Sequence, residues 1–89
     1  MKTVKIRFTA DFKYAGVRFL VMEQAMQHQI TGYIRKRTHH TYSVTATGHP
    51  NDLKAFSDFL KAGFLGSEIK SFEEIPINLR LHKTFEIQK

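Results

Sequence analysis

The first residues of this chain alternate between apolar and polar side chains. Val4, Ile6 and Phe8 are separated by charged residues, and a period of two is typical of a β-strand with one buried face. The alternation stops at residues 10–15, which we therefore expect to form a loop. The chain thus begins with a predicted strand that leads directly into an irregular segment.

A helical spacing follows this loop, from Val17 to about Gln29. Apolar residues recur there at intervals of three and four, which places them on one face of a helix. These residues are Val17, Leu20, Val21 and Ala25. Phe19, Met22 and Met26 widen the stripe, so we expect this helix to be well buried.

Two further strands and a second helix follow. Residues 30–37 and 41–47 predict strands, the latter rich in β-branched side chains, with residues 38–40 as the connection between them. Pro50 stands where a first helical turn tolerates proline, and Gly63 stands where a helix commonly ends. The residues between these two positions are amphipathic, which predicts a helix with one buried face.

The last part of the chain predicts two more strands. Residues 67–77 alternate imperfectly and carry four charged side chains, as expected of an exposed sheet edge, while Phe85 and Ile87 suggest a short fifth strand. The order β-α-β-β-α-β favours an α+β sandwich of the ferredoxin-like type, a mainly antiparallel sheet with both helices on one face. A right-handed crossover makes the first two strands run in the same direction. The C-terminal end of the second strand and the start of the first helix therefore lie at the same end of the sheet, measured along the strands.

Composition limits the class of protein. Residues 1–89, of which 42% are apolar, are enough for a single domain with one core. No run of about 18 apolar residues occurs and the first residues do not resemble a secretory signal, so we expect no membrane association. The chain has no cysteine, which excludes disulfides and thiol chemistry and fits the cytoplasm. We expect a monomer.

The charge balance points to anionic partners. Fourteen Lys and Arg residues against eight Asp and Glu residues give a net charge of +6. Such a balance favours phosphorylated small molecules or nucleic acid. It equally suits a protein whose basic surface associates only weakly and non-specifically with anions.

One stretch of the chain suits a phosphate group. A short glycine-bearing loop leads into the first helix, where the first backbone N–H groups have no intrahelical partners and attract anions. Arg18 adds a planar fork of donors that fits phosphate or carboxylate oxygens. Gly32, Ile34 and Lys36 share one face of the second strand. If Ile34 points to the core, Lys36 lies on the helix side of the sheet, close to Arg18.

At these residues the chain resembles the acylphosphatase family. That family carries a loop close to G-x-V-Q-G-V-G-F-R before its first helix and T-G-W-V-x-N on its second strand. Arg18 takes the position of the arginine, and residues 31–35, T-G-Y-I-R, reproduce the strand at the expected offset. The resemblance extends over essentially the whole chain.

The resemblance implies hydrolysis of a carboxyl–phosphate mixed anhydride without a metal, a cofactor or a covalent intermediate. In the family, the loop amides and the arginine hold the phosphoryl oxygens while the asparagine orients the attacking water. This division suits phosphoryl transfer, which is catalysed mostly by positioning and charge stabilisation. Arg18 and Lys36 then occupy the catalytic positions. The implied phosphate-binding loop consists of Lys13, Tyr14, Ala15, Gly16, Val17 and Arg18.

The departures from the family pattern fall on the site itself. Lys36 stands in place of the asparagine, and an ammonium group donates hydrogen bonds but accepts none. Lys13 replaces the family glutamine, Val17 replaces a phenylalanine, and Tyr14 replaces a glycine that tolerates a positive φ. The sequence therefore leaves two functions open, an acyl-phosphate hydrolase and a non-catalytic module of the same fold that binds anions or, through its basic surface, nucleic acid.

Nucleic acid and metal ions are two other candidate partners. The basic run at residues 35–40 favours phosphate contacts, but Tyr33 is the only clear outward-facing aromatic residue on the predicted strands. Any nucleic-acid binding should therefore be electrostatic, salt-dependent and unselective. The five histidines are scattered, and His39 and His40 would point in opposite directions in an extended chain, so we expect no metal site.

Overall fold

Two helices and five strands occupy the part of the chain that this computed structural model describes, residues 1–11, 16–65, 67–78 and 83–88. In chain order they are β1 (Lys2–Ala10), α1 (Val17–Gln27), β2 (Thr31–Lys36), β3 (Thr41–Gly48), α2 (Pro50–Ala62), β4 (Ile69–Ile77) and β5 (Phe85–Gln88). Every predicted element is present, which confirms the predicted order. Neither helix in these ranges is long and apolar enough to cross a lipid bilayer.

The strands form one mixed sheet in the order β4-β1-β3-β2-β5. The central strand β3 is antiparallel to both of its neighbours, β1 and β2, so these two run in the same direction as predicted. The edge strand β4 is antiparallel to β1, whereas the edge strand β5 is parallel to β2. The mainly antiparallel ferredoxin-like sheet is thus confirmed, with the charged fourth strand at one edge.

The core lies between the helices and one face of the sheet. Alternate residues of β1, β2 and β3 point into it, and every third or fourth residue of α2 packs against them. The largest of these fully buried side chains are Phe8, Phe56, Ile6, Ile34, Leu60 and Val44. Burial of a side chain of this size stabilises the fold by about 1.5–3 kcal/mol relative to exposure, so this single layer is the main source of stability.

Helix α1 is less buried than the sequence pattern predicts. Val17, Val21 and Ala25 are buried, but Phe19 and Met26 are 65% and 62% exposed. The prediction that the apolar stripe extends to Phe19 and Met26 is wrong, because the sheet covers α1 from one side and α2 touches it over a small area. The outer side of the helix is left to solvent.

The end of α1 also differs from the prediction. The helix stops at Gln27, since Gln29 has a left-handed φ of 56° that an α-helix does not accommodate. The Ile30 N–H donates to the Ala25 carbonyl at 2.7 Å. This bond turns the chain sharply into β2.

The connection between β2 and β3 lies where the sequence predicts it. The N–H groups of Arg37 and Thr38 both donate to the carbonyl of Thr41, at 2.8 and 3.3 Å. The backbone here is not extended, and the rings of His39 and His40 have centroids 5.6 Å apart. The opposite orientation expected for an extended chain therefore does not apply to this turn.

The pairing of β2 with β3 requires glycine at position 32. Gly32 has φ of +133°, and a Cβ atom there would overlap the backbone carbonyl of Thr45. We expect Gly32→Ala to cost more than about 3 kcal/mol, because a backbone overlap is not relieved by side-chain rotation. For a domain of this size the melting temperature should fall by more than about 10 °C, as measured by circular dichroism.

Gly16→Ala is the matched control for this substitution. Gly16 also has a positive φ, +89°, but no atom lies within 4 Å of a Cβ atom built there. Alanine at this position should lower the free energy of unfolding by only about 1–2 kcal/mol, the cost of a side chain on a left-handed backbone. Equal losses of stability in the two variants would show that the overlap with Thr45 is unimportant.

Candidate anion site

The start of α1 leaves backbone donors without intrahelical partners. Gly16 precedes the helix in a left-handed conformation, with φ 89° and ψ 10°. Its carbonyl accepts the N–H of Leu20 at 3.0 Å, which is the first bond of the helix. The N–H groups of Val17, Arg18 and Phe19 consequently have no carbonyl partner within the helix.

The electrostatics of this helix end favour a negatively charged ligand. Among the described residues, no side chain caps the N-terminus of α1 and no acidic residue occurs in its first turn. The half-buried Arg18 adds a guanidinium to the positive end of the helix dipole. A shallow depression of about 350 Å³ lies beside it, lined by Gly16, Arg18, Phe19 and Ile87. The depression is a place where an anion can approach both kinds of donor.

Lys36 lies at the end of β2 on the helix side of the sheet. Ile34 is fully buried, so Lys36, two residues further, faces the same side. In the register of the sheet, Lys36 pairs directly with Tyr42 of β3. Directly opposite residues of an antiparallel pair share a face, with Cβ atoms about 4.5–5.5 Å apart.

Tyr42 connects Lys36 with Arg18. Burial raises the pKa of the Tyr42 hydroxyl above its ordinary value, and the Arg18 guanidinium lowers it by a smaller amount. The charge of Arg18 thus acts on the phenol through space. By the topology of the sheet, the start of α1, the end of β2 and the start of β3 lie at the same end of the fold.

The sequence interpretation did not identify Tyr42. Two features of the sequence point to it. Tyr42 alternates with Val44 and Ala46 on β3, which places it on the core face. The short connection between β2 and β3 also places it opposite the end of β2. The ring is 5% exposed and stacks on Phe8 with centroids 5.5 Å apart and planes at 17°. It is a rigid aromatic group at the same end of the sheet as Lys36.

The loop residues of the predicted site divide into two groups. Lys13, Tyr14 and Ala15 lie outside the described residues. Gly16 and Val17 are described, and the Val17 side chain is only 4% exposed and packs in the core. Val17 therefore has only its backbone to offer a ligand.

Hydrogen bonds hold the chain just before the loop. The Ser67 hydroxyl donates to the carbonyl of Asp11 at 3.1 Å, and the Ala10 N–H donates to the carbonyl of His40 at 2.9 Å. The His40 Nδ1 atom also lies 3.5 Å from a carboxylate oxygen of Asp11, with both side chains more than half exposed. These contacts fix the β2–β3 connection next to the start of the loop.

The opposite face of the sheet carries the basic residues that favour nucleic acid. Lys5 and Arg7 lie on this face, and Arg35 donates to the Gln88 side chain at 2.8 Å. In the described strands, Tyr33 is the one aromatic side chain that the alternation places there. RNA readers of this architecture stack bases on several aromatic rings, so the face offers charge without a stacking surface.

Metal-binding side chains are dispersed. No group of three or more His, Cys, Asp or Glu residues converges within the described ranges. His82 lies outside these ranges. The described donors around α1 are backbone amides and cations, which bind anions and repel metal ions.

Comparison with known proteins identifies the family of this chain. The sequence profile of the acylphosphatase family matches residues 13–87. An acylphosphatase of Geobacillus thermodenitrificans is 26% identical over 69 residues, which cover 78% of this chain and 73% of that protein. The acylphosphatase of Geobacillus kaustophilus is 24% identical over 80 residues, which cover 90% and 85%.

The fold agrees as well. The crystal structure of the acylphosphatase from Bacillus subtilis superposes with a TM-score of 0.90 at 22% sequence identity, and the alignment covers 100% of both chains. At that sequence identity the superposition establishes the fold alone. The family profile matches most of the chain, from the loop before α1 to β5. On the strength of that match, this chain belongs to the acylphosphatase family.

Proposed function

We propose that this protein binds the phosphoryl group of acyl phosphates at the N-terminus of α1 and hydrolyses the carboxyl–phosphate bond slowly. The observation that carries the proposal is a depression at the start of α1, where Arg18 lies among N–H groups that have no partner within the helix. Membership of the acylphosphatase family supports the substrate class.

Binding follows from the charges and donors at the site. The phosphoryl group of an acyl phosphate carries up to two negative charges and three acceptor oxygens. Backbone N–H groups at a helix start and a guanidinium fork suit such a group, since they combine fixed donors with a positive field. Lys36, on the helix side at the end of β2, adds a second cation.

Slow turnover follows from the chemistry of Lys36. An attacking water molecule is best oriented by a group that accepts one of its hydrogen bonds, and an ammonium group has no acceptor. Loss of one preorganised polar group at a transition state typically costs about 10²–10³ in rate. The site therefore retains most of its binding donors and lacks one group that serves the chemical step.

A non-catalytic anion-binding domain is the second candidate, and Lys36 is the observation that favours it. The two functions differ in one measurable respect. A hydrolase releases phosphate from benzoyl phosphate or acetyl phosphate at a rate that depends on Arg18, whereas a binding domain holds phosphate and releases none above background.

The anion site is tested by titrating the protein with inorganic phosphate while backbone amide shifts are recorded. We expect shifts at Gly16, Val17, Arg18 and Phe19 and at the end of β2. Arg18→Ala should weaken phosphate binding at least about tenfold, because a charge-assisted hydrogen bond contributes about 1.5–3 kcal/mol.

Arg7→Ala is the matched control, since it removes the same charge from an exposed position on the opposite face of the sheet. It should leave phosphate binding nearly unchanged. Shifts confined to other surfaces, or equal losses in the two variants, would show that phosphate responds only to net charge.

Lys36→Asn tests the account of slow turnover. Asparagine is neutral and offers a carbonyl acceptor beside an amide donor. The variant should hydrolyse benzoyl phosphate at least about tenfold faster than the parent protein at saturating substrate, which corresponds to about 1.4 kcal/mol of transition-state stabilisation. If the folded variant turns over no faster than the parent protein, Lys36 is not the cause of slow turnover, and the altered loop becomes the explanation.

A further inference from the structure

Hydrolysis at this site is faster when a hydrogen-bond acceptor orients the attacking water. The groups assigned to the anion site so far are backbone N–H groups, the Arg18 guanidinium and the Lys36 ammonium, and all of them only donate. This set holds phosphoryl oxygens, but none of its members accepts a hydrogen bond from the attacking water. A residue at this end of the sheet that accepts such a bond would help to orient the water.

Tyr42 meets this requirement by position. It lies directly opposite Lys36 in the sheet register, on the same face, and Arg18 is close enough to influence its hydroxyl. Its ring is fixed by burial and by the flat contact with Phe8. The hydroxyl is therefore held in a defined place, as a catalytic group must be.

Tyr42 also meets the requirement by chemistry. A phenol accepts a hydrogen bond through its oxygen and donates another through its hydrogen. One hydroxyl thus both accepts and donates, whereas an asparagine amide accepts through its oxygen and donates through its nitrogen. The Lys36 ammonium only donates.

Asp11 is the competing acceptor among the described residues near the loop. Its carboxylate is 59% exposed and faces His40 at 3.5 Å. A solvated carboxylate on an exposed segment is a poorer positioning group than a buried ring. Asp11 therefore serves as a control in the experiment below.

We propose that the Tyr42 hydroxyl accepts a hydrogen bond from the attacking water and thereby supplies part of the orienting effect that Lys36 lacks. This inference rests on the proposed function. The water oxygen forms a bond to phosphorus, the bond from phosphorus to the carboxyl oxygen breaks, and the carboxylate leaves with the electron pair. Both water protons depart with the product as dihydrogen phosphate, so Tyr42 orients the water and removes no proton.

Burial keeps this hydroxyl neutral over the working range of pH. The pKa of Tyr42 is raised above its unfolded value of about 10, mainly by burial, against the smaller opposite effect of Arg18. The folded protein thus keeps a proton that the unfolded chain loses, so stability is lost as pH rises from about 10 through the folded pKa. The melting temperature should fall more steeply above pH 10 in the parent protein than in Tyr42→Phe, and equal slopes would contradict the buried phenol.

The role of Tyr42 in turnover is tested with Tyr42→Phe, which keeps the ring stacked on Phe8 and removes only the hydroxyl. We expect kcat for benzoyl phosphate to fall about 10–100-fold, with the affinity for inorganic phosphate changed less than about twofold. Tyr33→Phe is the matched control, because Tyr33 lies on the opposite face of the sheet. Tyr33→Phe and Asp11→Asn should each retain kcat within about twofold.

A double variant separates a role in catalysis from a role in packing. If Tyr42 supplies the acceptor, Lys36→Asn should raise kcat more in the Tyr42→Phe background than in the parent, because the new amide then provides the only acceptor of the pair. A merely structural role for Tyr42 predicts the same factor in both backgrounds.

The outcomes also distinguish this inference from the proposed function. No binding of inorganic phosphate at α1 would overturn the proposed function. Phosphate binding without any turnover by the parent protein would retain the anion site and overturn the role of Tyr42. Turnover that is unchanged in Tyr42→Phe, or lost instead in Asp11→Asn, would likewise overturn it, whereas loss in Tyr42→Phe with rescue by Lys36→Asn is the result we expect.

Discussion

The pairing of β3 with strands on both of its sides is the constraint on which the rest of the structure depends. Phe8 of β1 and Lys36 of β2 are both partners of Tyr42. The three side chains consequently form one row across the helix side of the sheet. A slip of one residue in either register would send a member of this row to the opposite face, and it would expose core residues along the same strand. The hydrophobic core therefore fixes the register, and the register places the polar groups beside α1.

Much of the fold was predictable because each element has a local signature. Alternation marks β1, and Pro50 and Gly63 mark the ends of α2. The position of Lys36 on the helix side followed from the period of two and the apolar neighbour Ile34. The exposure of Phe19 was not predictable, because a spacing pattern shows which residues share a helix face but not how wide a surface the partner covers.

The candidate site was only partly predictable for a related reason. Arg18 stands beside a helix start, so its chemistry follows from its neighbours in sequence. The importance of Tyr42 arises between strands, since its neighbours Lys36 and Phe8 are brought to it by pairing. An aromatic residue in a strand ordinarily indicates core packing, and here Tyr42 packs in the core while its position opposite Lys36 gives it the further role that we propose. A contact between distant segments of this kind becomes visible only when the register is known.

The wall that β5 gives to the anion site has a consequence for the order of events during folding. Ile87 lines the same depression as Arg18, although the two residues come from opposite ends of the chain. Consider an intermediate in which α1 has formed but β5 has not yet paired with β2. Its backbone donors at the helix start lie on an open surface that lacks the wall formed by Ile87. A ligand that needs the complete depression stabilises only the state in which β5 has paired with β2. The site is thus completed only when β5 pairs with β2, so a chain interrupted before β5 has a helix start but not the finished surface.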